Sequence, residues 1–132
     1  MGTRSLTIVK DSNGDTILNM YRQMDGYLEG MGADLAEFLQ PFQLVNGFGM
    51  GDNTNVANGM GCLAAQIVAH FKTDVGGIYL YAGDDRNCGE DYIYTITQNE
   101  GTVHIDCRDV YENDTVFSGS PKELLEQVRE AA

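Results

Sequence analysis

Two groups of residues in this sequence have types and spacing that bear on chemistry: the arginines Arg4 and Arg22, and the set Cys62, His104 and Asp106. Paired guanidinium forks suit the planar oxygens of a phosphate or carboxylate, because each holds its N–H donors in a fixed plane. Cys62 follows Asn58-Gly59-Met60-Gly61 at the start of a helical stretch. A helix dipole there lowers a thiol pKa, which a cysteine hydrolase would need. Its nearest histidine in sequence, His70, stands two turns along the same helix, about 12 Å away by the helical rise and too far for proton transfer. His104, with Asp106 one strand alternation away to orient its ring, completes a triad only if the fold carries it to Cys62. A free cysteine is more commonly a small core residue. The residues therefore define no catalytic constellation, and the expected class is a protein that works by binding.

The bulk numbers narrow what is bound. A chain of 132 residues has the size of one domain, so 1–132 is expected to form a single unit. The net charge of −12 and pI near 4.2 repel phosphate backbones and anionic lipid, which argues against direct nucleic acid and membrane partners. An anionic ligand would need local donors in a pocket. Cys62, Cys88 and Cys107 are an odd number at wide spacing, unlike a disulfide framework or zinc knuckles. The aspartate-rich turns at Asp11 to Asp15 and Gly51-Asp52-Asn53-Thr54-Asn55 lack the spacing and closing glutamate of a calcium loop, and turn chemistry accounts for both. No metal or cofactor is expected. The N-terminus carries no signal-peptide pattern, and Leu6 stands where a myristoylation motif needs Ser or Thr, so a cytoplasmic location is expected.

The elements that must position these residues follow from periodicity. Leu6 to Val9 and Thr16 to Met24 read as strands around Asn13-Gly14, a hairpin signal. Asp25-Gly26-Tyr27 breaks the second strand. Leu35, Phe38, Leu39 and Phe42 form one apolar helix stripe that Pro41 cuts short. Val45 to Gly61 is a Gly- and Asn-rich excursion, after which Met60, Leu63, Ala64, Ile67, Val68 and Phe71 keep a helical period up to Gly76-Gly77. Ile78 to Ala82, Tyr92 to Thr97 and Val103 to Val110 read as strands of an antiparallel meander, with a short strand possible around Val116-Phe117. Ser120-Pro121-Lys122-Glu123 is a capping box opening a last helix. The order ββααβββα gives an α+β fold, an antiparallel sheet packed on one face by two to three helices. Tyr79, Tyr81, Tyr92 and Tyr94 alternate along strands expected to be neighbours, as a cross-strand packing set or an interface floor.

The hairpin register decides the fate of the arginines. A three-residue loop pairing Asp11 with Asp15 sets Ile8 opposite Leu18, Leu6 opposite Met20 and Arg4 opposite Arg22, with the apolar pairs on one face. A two-residue Asn-Gly loop would oppose Ile8 to Asn19 instead and scatter the apolar residues. The first register brings two guanidinium groups within about 5 Å at their Cβ atoms, a penalty that an anion or protein carboxylate between them would relieve. Ion pairs with this chain's many acids are the commoner outcome. The ligand alternative is a phosphorylated small molecule held by Arg4 and Arg22, with Tyr21 or Tyr27 to stack on a ring.

The segments Met1-Gly2-Thr3-Arg4-Ser5-Leu6-Thr7, Tyr21-Arg22-Gln23-Met24-Asp25-Gly26-Tyr27 and Asn58-Gly59-Met60-Gly61-Cys62-Leu63-Ala64-Ala65 resemble small phage and prophage proteins of the Thoeris anti-defence sponge family. The likeness covers the first half of the chain. It implies a non-enzymatic phage protein that forms homo-oligomers and sequesters a nucleotide-like immune signal such as a cyclic ADP-ribose. Arg4, Arg22 and the Asp25-Gly26-Tyr27 turn are the residues tied to that role. Two rival functions remain from the residues alone: an acidic inhibitor that mimics nucleic acid and blocks a protein's basic cleft, and the cysteine hydrolase.

Overall fold

The computed structural model describes residues 2–45 and 55–131. Most of the Gly- and Asn-rich excursion, with the turn at Gly51-Asp52-Asn53-Thr54, lies outside the described residues.

Strands β1 (Ser5–Lys10) and β2 (Thr16–Arg22) form the expected hairpin. A π-helical turn, Leu28–Gly32, runs into α1 (Ala33–Leu39), which stops two residues before Pro41. Short strands β3 (Gln43–Val45) and β4 (Val56–Asn58) pair in parallel on either side of the excursion. Helix α2 (Gly59–Phe71) follows, then β5 (Ile78–Leu80), β6 (Tyr92–Asn99), β7 (Thr102–Asp109), β8 (Asp114–Gly119) and α3 (Pro121–Ala131). The fold class is α+β, as the segregation of strands and helices requires.

The sheet order is β5-β2-β1-β6-β7-β8, and β1 pairs with β6 in parallel. This corrects the all-antiparallel expectation. The two hairpin systems meet along β1, and the chain between them, carrying α1, α2 and β5, returns β6 in the same direction as β1. β8 is a full strand rather than a short one, because the cross-strand partners of Cys107 and Ile105 are Phe117 and Gly119.

One face, here the inner face, carries Val9, Leu18, Met20, Tyr94, Ile96, Ile105 and Cys107 and packs against Leu35, Leu63, Ile67 and Leu124 of the three helices. The outer face is not bare. Leu6, Ile8 and Tyr21 form a second, smaller apolar cluster with Cys88 and Ile93. The segment 81–91 lies over it as a strap, anchored where Asn19 Nδ2 donates to the carbonyls of Ala82 (2.8 Å) and Asp85 (2.9 Å). Asn19 is 2 % exposed, so these bonds offset the cost of burying its amide.

The hairpin register combines both alternatives. At the turn, Asp11 donates to the Asp15 carbonyl and Lys10 faces Thr16, the three-residue-loop register. Between Val9 and Lys10 the register then shifts, so that Val9 faces Leu18, Ile8 faces Asn19 and Ser5 faces Arg22. Ile17 is the extra residue of this β-bulge and is turned outward, 42 % exposed. β1 is buried on both faces, so no register could gather its apolar residues onto one.

Each sheet edge has one carbonyl bonded by a side chain. The main-chain bonds of Gly77 and Tyr81 to β2 leave the backbone groups of Ile78 pointing away from the sheet, and the Ile78 carbonyl accepts from Lys72 Nζ at 2.9 Å. On β8 the Val116 carbonyl accepts from Gln127 Nε2 of α3.

Candidate functional site

The bulge separates the two arginines. Arg22 lies on the inner face beside Ser5, while Arg4, two residues before Leu6, belongs with the outer face beside Tyr21. The expectation that they face each other across the hairpin is overturned, and one inserted residue relieves their repulsion where an anion had been invoked. Arg4 is held under the strap. Its backbone N–H donates to Asp91 Oδ2 at 2.8 Å, its Nη1 lies against Gly89, and its buried Nε has no partner among the described residues.

The other residues tied to a ligand make contacts within the fold. Tyr21 is 5 % exposed, its hydroxyl donates to Gln23 Oε1 at 2.6 Å, and burial raises its pKa. Gly26 is packed so tightly that a Cβ would stand 2.8 Å from the Arg4 carbonyl carbon and 2.9 Å from Ser5 Cβ. Its N–H donates to Thr3, and its carbonyl accepts from the buried Tyr94 hydroxyl at 2.7 Å. Asp25 adopts a positive φ of 58° and accepts from Tyr27 Oη at 3.0 Å, an interaction that raises the Tyr27 pKa. The turn thus clamps the chain between β2 and the π-helical turn. No ligand contact is needed to account for it.

Arg22 lines a groove. This groove of about 780 Å³ has walls that include Arg22, Met24, Asp34, Phe38, His70 and Phe71, together with the segment 73–78 leading from α2 into β5. The Arg22 Nε donates to the Met24 carbonyl at 2.8 Å, and Nη1 pairs with Asp34 Oδ2 at 2.8 Å while also lying 3.0 Å from Met31 Sδ. Also in the lining, His70 stacks on Phe38, with ring centres 4.1 Å apart and planes 17° from parallel. Phe71 stands edge-on to His70 at 4.9 Å. The lining thus combines a cation with aromatic side chains, a composition that small-molecule sites also have.

Sequence reasoning missed Asp34, Phe38 and His70 as site residues. Phe38 read as part of a core stripe and His70 only as a partner too distant for Cys62. Their meeting depends on how α1 packs beside α2, which no local pattern encodes.

The cysteine triad does not assemble. Val103, Ile105 and Cys107 fill the inner core, so the alternate residues His104 and Asp106 lie on the outer face, away from α2 and Cys62. Cys62 Sγ contacts Gln66 of its own helix. Asp106 does approach the His104 ring, at 3.4 Å, but the third member is Ser118, whose hydroxyl donates to Asp106 at 2.6 Å and lies 3.1 Å from His104 Nε2. The four tyrosines divide likewise: Tyr79 and Tyr81 pack on Tyr21 at the outer face, while Tyr92 and Tyr94 lie on the inner face, Tyr94 buried beside Cys107, with β2 and β1 lying between β5 and β6. Burial pushes the Cys107 thiol up to about 12 and raises Tyr94 far above the ordinary phenol range.

Among the described residues no group of three His, Cys, Asp or Glu side chains could hold a metal ion, and no helix is long and apolar enough to cross a membrane. Comparison of the chain with protein-family models, curated proteins and solved structures gives no match.

Proposed function

We propose that this chain is a non-catalytic binding protein that captures a nucleotide-like anion, of the cyclic ADP-ribose type implied by the resemblance to phage anti-defence sponges, and holds it unaltered. The observation that carries this reading is a groove lined by both Arg22 and the Phe38–His70 stack. Its volume lies in the range of small-molecule sites, a base can lie against the aromatic wall, and a phosphate can use the guanidinium. Of the residues tied to the ligand by sequence, this reading retains Arg22 and assigns Arg4, Tyr21, Asp25, Gly26 and Tyr27 to the scaffold. Sequestration needs slow release, not chemistry.

Isothermal titration with cyclic ADP-ribose isomers and cyclic dinucleotides tests it. The expected result is saturable binding that Arg22→Met removes, with the intact ligand recovered after heat denaturation. No heat with any of these compounds would end the reading. The charge of −12 favours, as a second reading, an acidic surface that engages a basic protein cleft. That reading predicts salt-sensitive protein association that Arg22→Met leaves unchanged.

A further inference from the structure

We propose that Asp34 is a built-in competitor for the ligand's anionic group: its carboxylate occupies the Arg22 donor that a bound phosphate would use, so binding proceeds by exchange of partners on Nη1. The inference rests on the reading of the groove as a ligand site and names how that site selects its guest.

The Arg22 guanidinium is oriented by the backbone, since Nε donates to the Met24 carbonyl. Its side chain is 18 % exposed and therefore partly desolvated, whereas its partner Asp34 is 48 % exposed. Asp34 stands in the first turn of α1, where its short side chain can rotate into water without disturbing the helix. The pair thus consists of a fixed cation and a movable anion. A part-exposed ion pair of this kind is weak enough to be exchanged.

Two other carboxylates of the groove, Glu37 and Asp74, line it without bonding Arg22. They contribute to the local field but do not occupy the donor. A guest must therefore offer Arg22 more than the single Nη1 bond to Asp34 and outweigh the repulsion of that field. A diphosphate can do so through several oxygens that engage Nη1 and Nη2 together.

Titration of inorganic pyrophosphate into the full chain and into Asp34→Asn, Glu37→Gln and Arg22→Met variants tests the exchange, with thermal unfolding as the check that each variant folds. Asp34→Asn should bind pyrophosphate about tenfold or more tighter than the unaltered chain, as removal of a directly competing charge allows. Glu37→Gln should change affinity less than about threefold, as expected of a charge acting only through a screened field. Arg22→Met should abolish the binding. Equal gains in Asp34→Asn and Glu37→Gln would reduce Asp34 to one charge among several and overturn the proposal, as would an Asp34→Asn variant that binds no better than the unaltered chain. If cyclic ADP-ribose binds the unaltered chain while Asp34→Asn gains nothing for pyrophosphate, the competitor falls and the sponge stands. If Asp34→Asn gains for pyrophosphate through Arg22 while no nucleotide binds, the sponge falls and the exchange stands.

Discussion

The two faces of the central sheet are closed in different ways. The inner face is sealed by three helices that bring Leu35, Leu63, Ile67 and Leu124, each fully buried, against the strands. The outer face is sealed over Leu6, Ile8 and Tyr21 by a strap of irregular backbone, pinned by the buried Asn19 amide near one end and by backbone bonds between Arg4 and Asp91 at the other. A helix satisfies its own backbone groups, so it can be laid on a sheet by apolar contact alone. An irregular segment cannot, and needs a polar residue beneath it. Stability on the inner face is therefore spread over many side chains, while on the outer face it is concentrated in a few bonds.

Substitutions on the two faces should separate these modes. Leu63→Ala removes a core side chain from α2 and should cost about 2–5 kcal/mol in urea unfolding, without changing which part of the chain opens first. Asn19→Ala should cost less, about 1–3 kcal/mol, since it leaves two strap carbonyls without their donor. Its signature is local: hydrogen exchange should quicken in residues 82–91 and stay slow in α2. Equal quickening on both faces would show that the strap and the helices open together.

Thiol chemistry sharpens the same contrast. Cys107, on the inner face, has its pKa pushed up to about 12 by burial, and Cys88, in the strap, is raised by partial burial and its acidic neighbours. Since the thiolate is the reactive form, Cys107 should be alkylated only on global unfolding and Cys88 whenever the strap lifts. Mass-spectrometric mapping should find Cys88 labelled faster in Asn19→Ala and Cys107 unchanged.

The smallest expected effect lies at the helix that closes the inner face beside β8. Ser120 Oγ accepts from the Glu123 N–H at 3.1 Å, and Glu123 Oε1 accepts from the Ser120 N–H at 2.8 Å, so α3 begins with a complete capping box. Ser120→Ala should cost about 1 kcal/mol. The bonds from Ser120 hold the Glu123 pKa below its usual value. A depressed folded-state pKa gives stability that is present above the ordinary carboxylate range and lost as pH falls through the folded value. The acid limb of a thermal-melt profile should therefore flatten slightly in Glu123→Gln.

Features of the fold that depend on neighbouring residues were legible. Asn13-Gly14 marked the hairpin, the apolar period marked α2, and Ser120 to Glu123 marked α3 to the residue. Features that depend on distant pairing were not. Nothing near Ser5 announces Tyr92 as its parallel neighbour. The register failed for a related reason: alternation locates a strand's buried face only when the other face is wet, and β1 has none. The bulge at Ile17 then moved Arg22 to the opposite side from Arg4, and with it the site. The groove itself comes from the meeting of Phe38 on one helix with His70 on another.

The ammonium of Lys72 and the amide of Gln127, each seated on an outward carbonyl at opposite ends of the sheet, act as stoppers on lateral growth. A strand arriving from another molecule would have to displace a charged or amide group in order to bond the Ile78 or Val116 carbonyl.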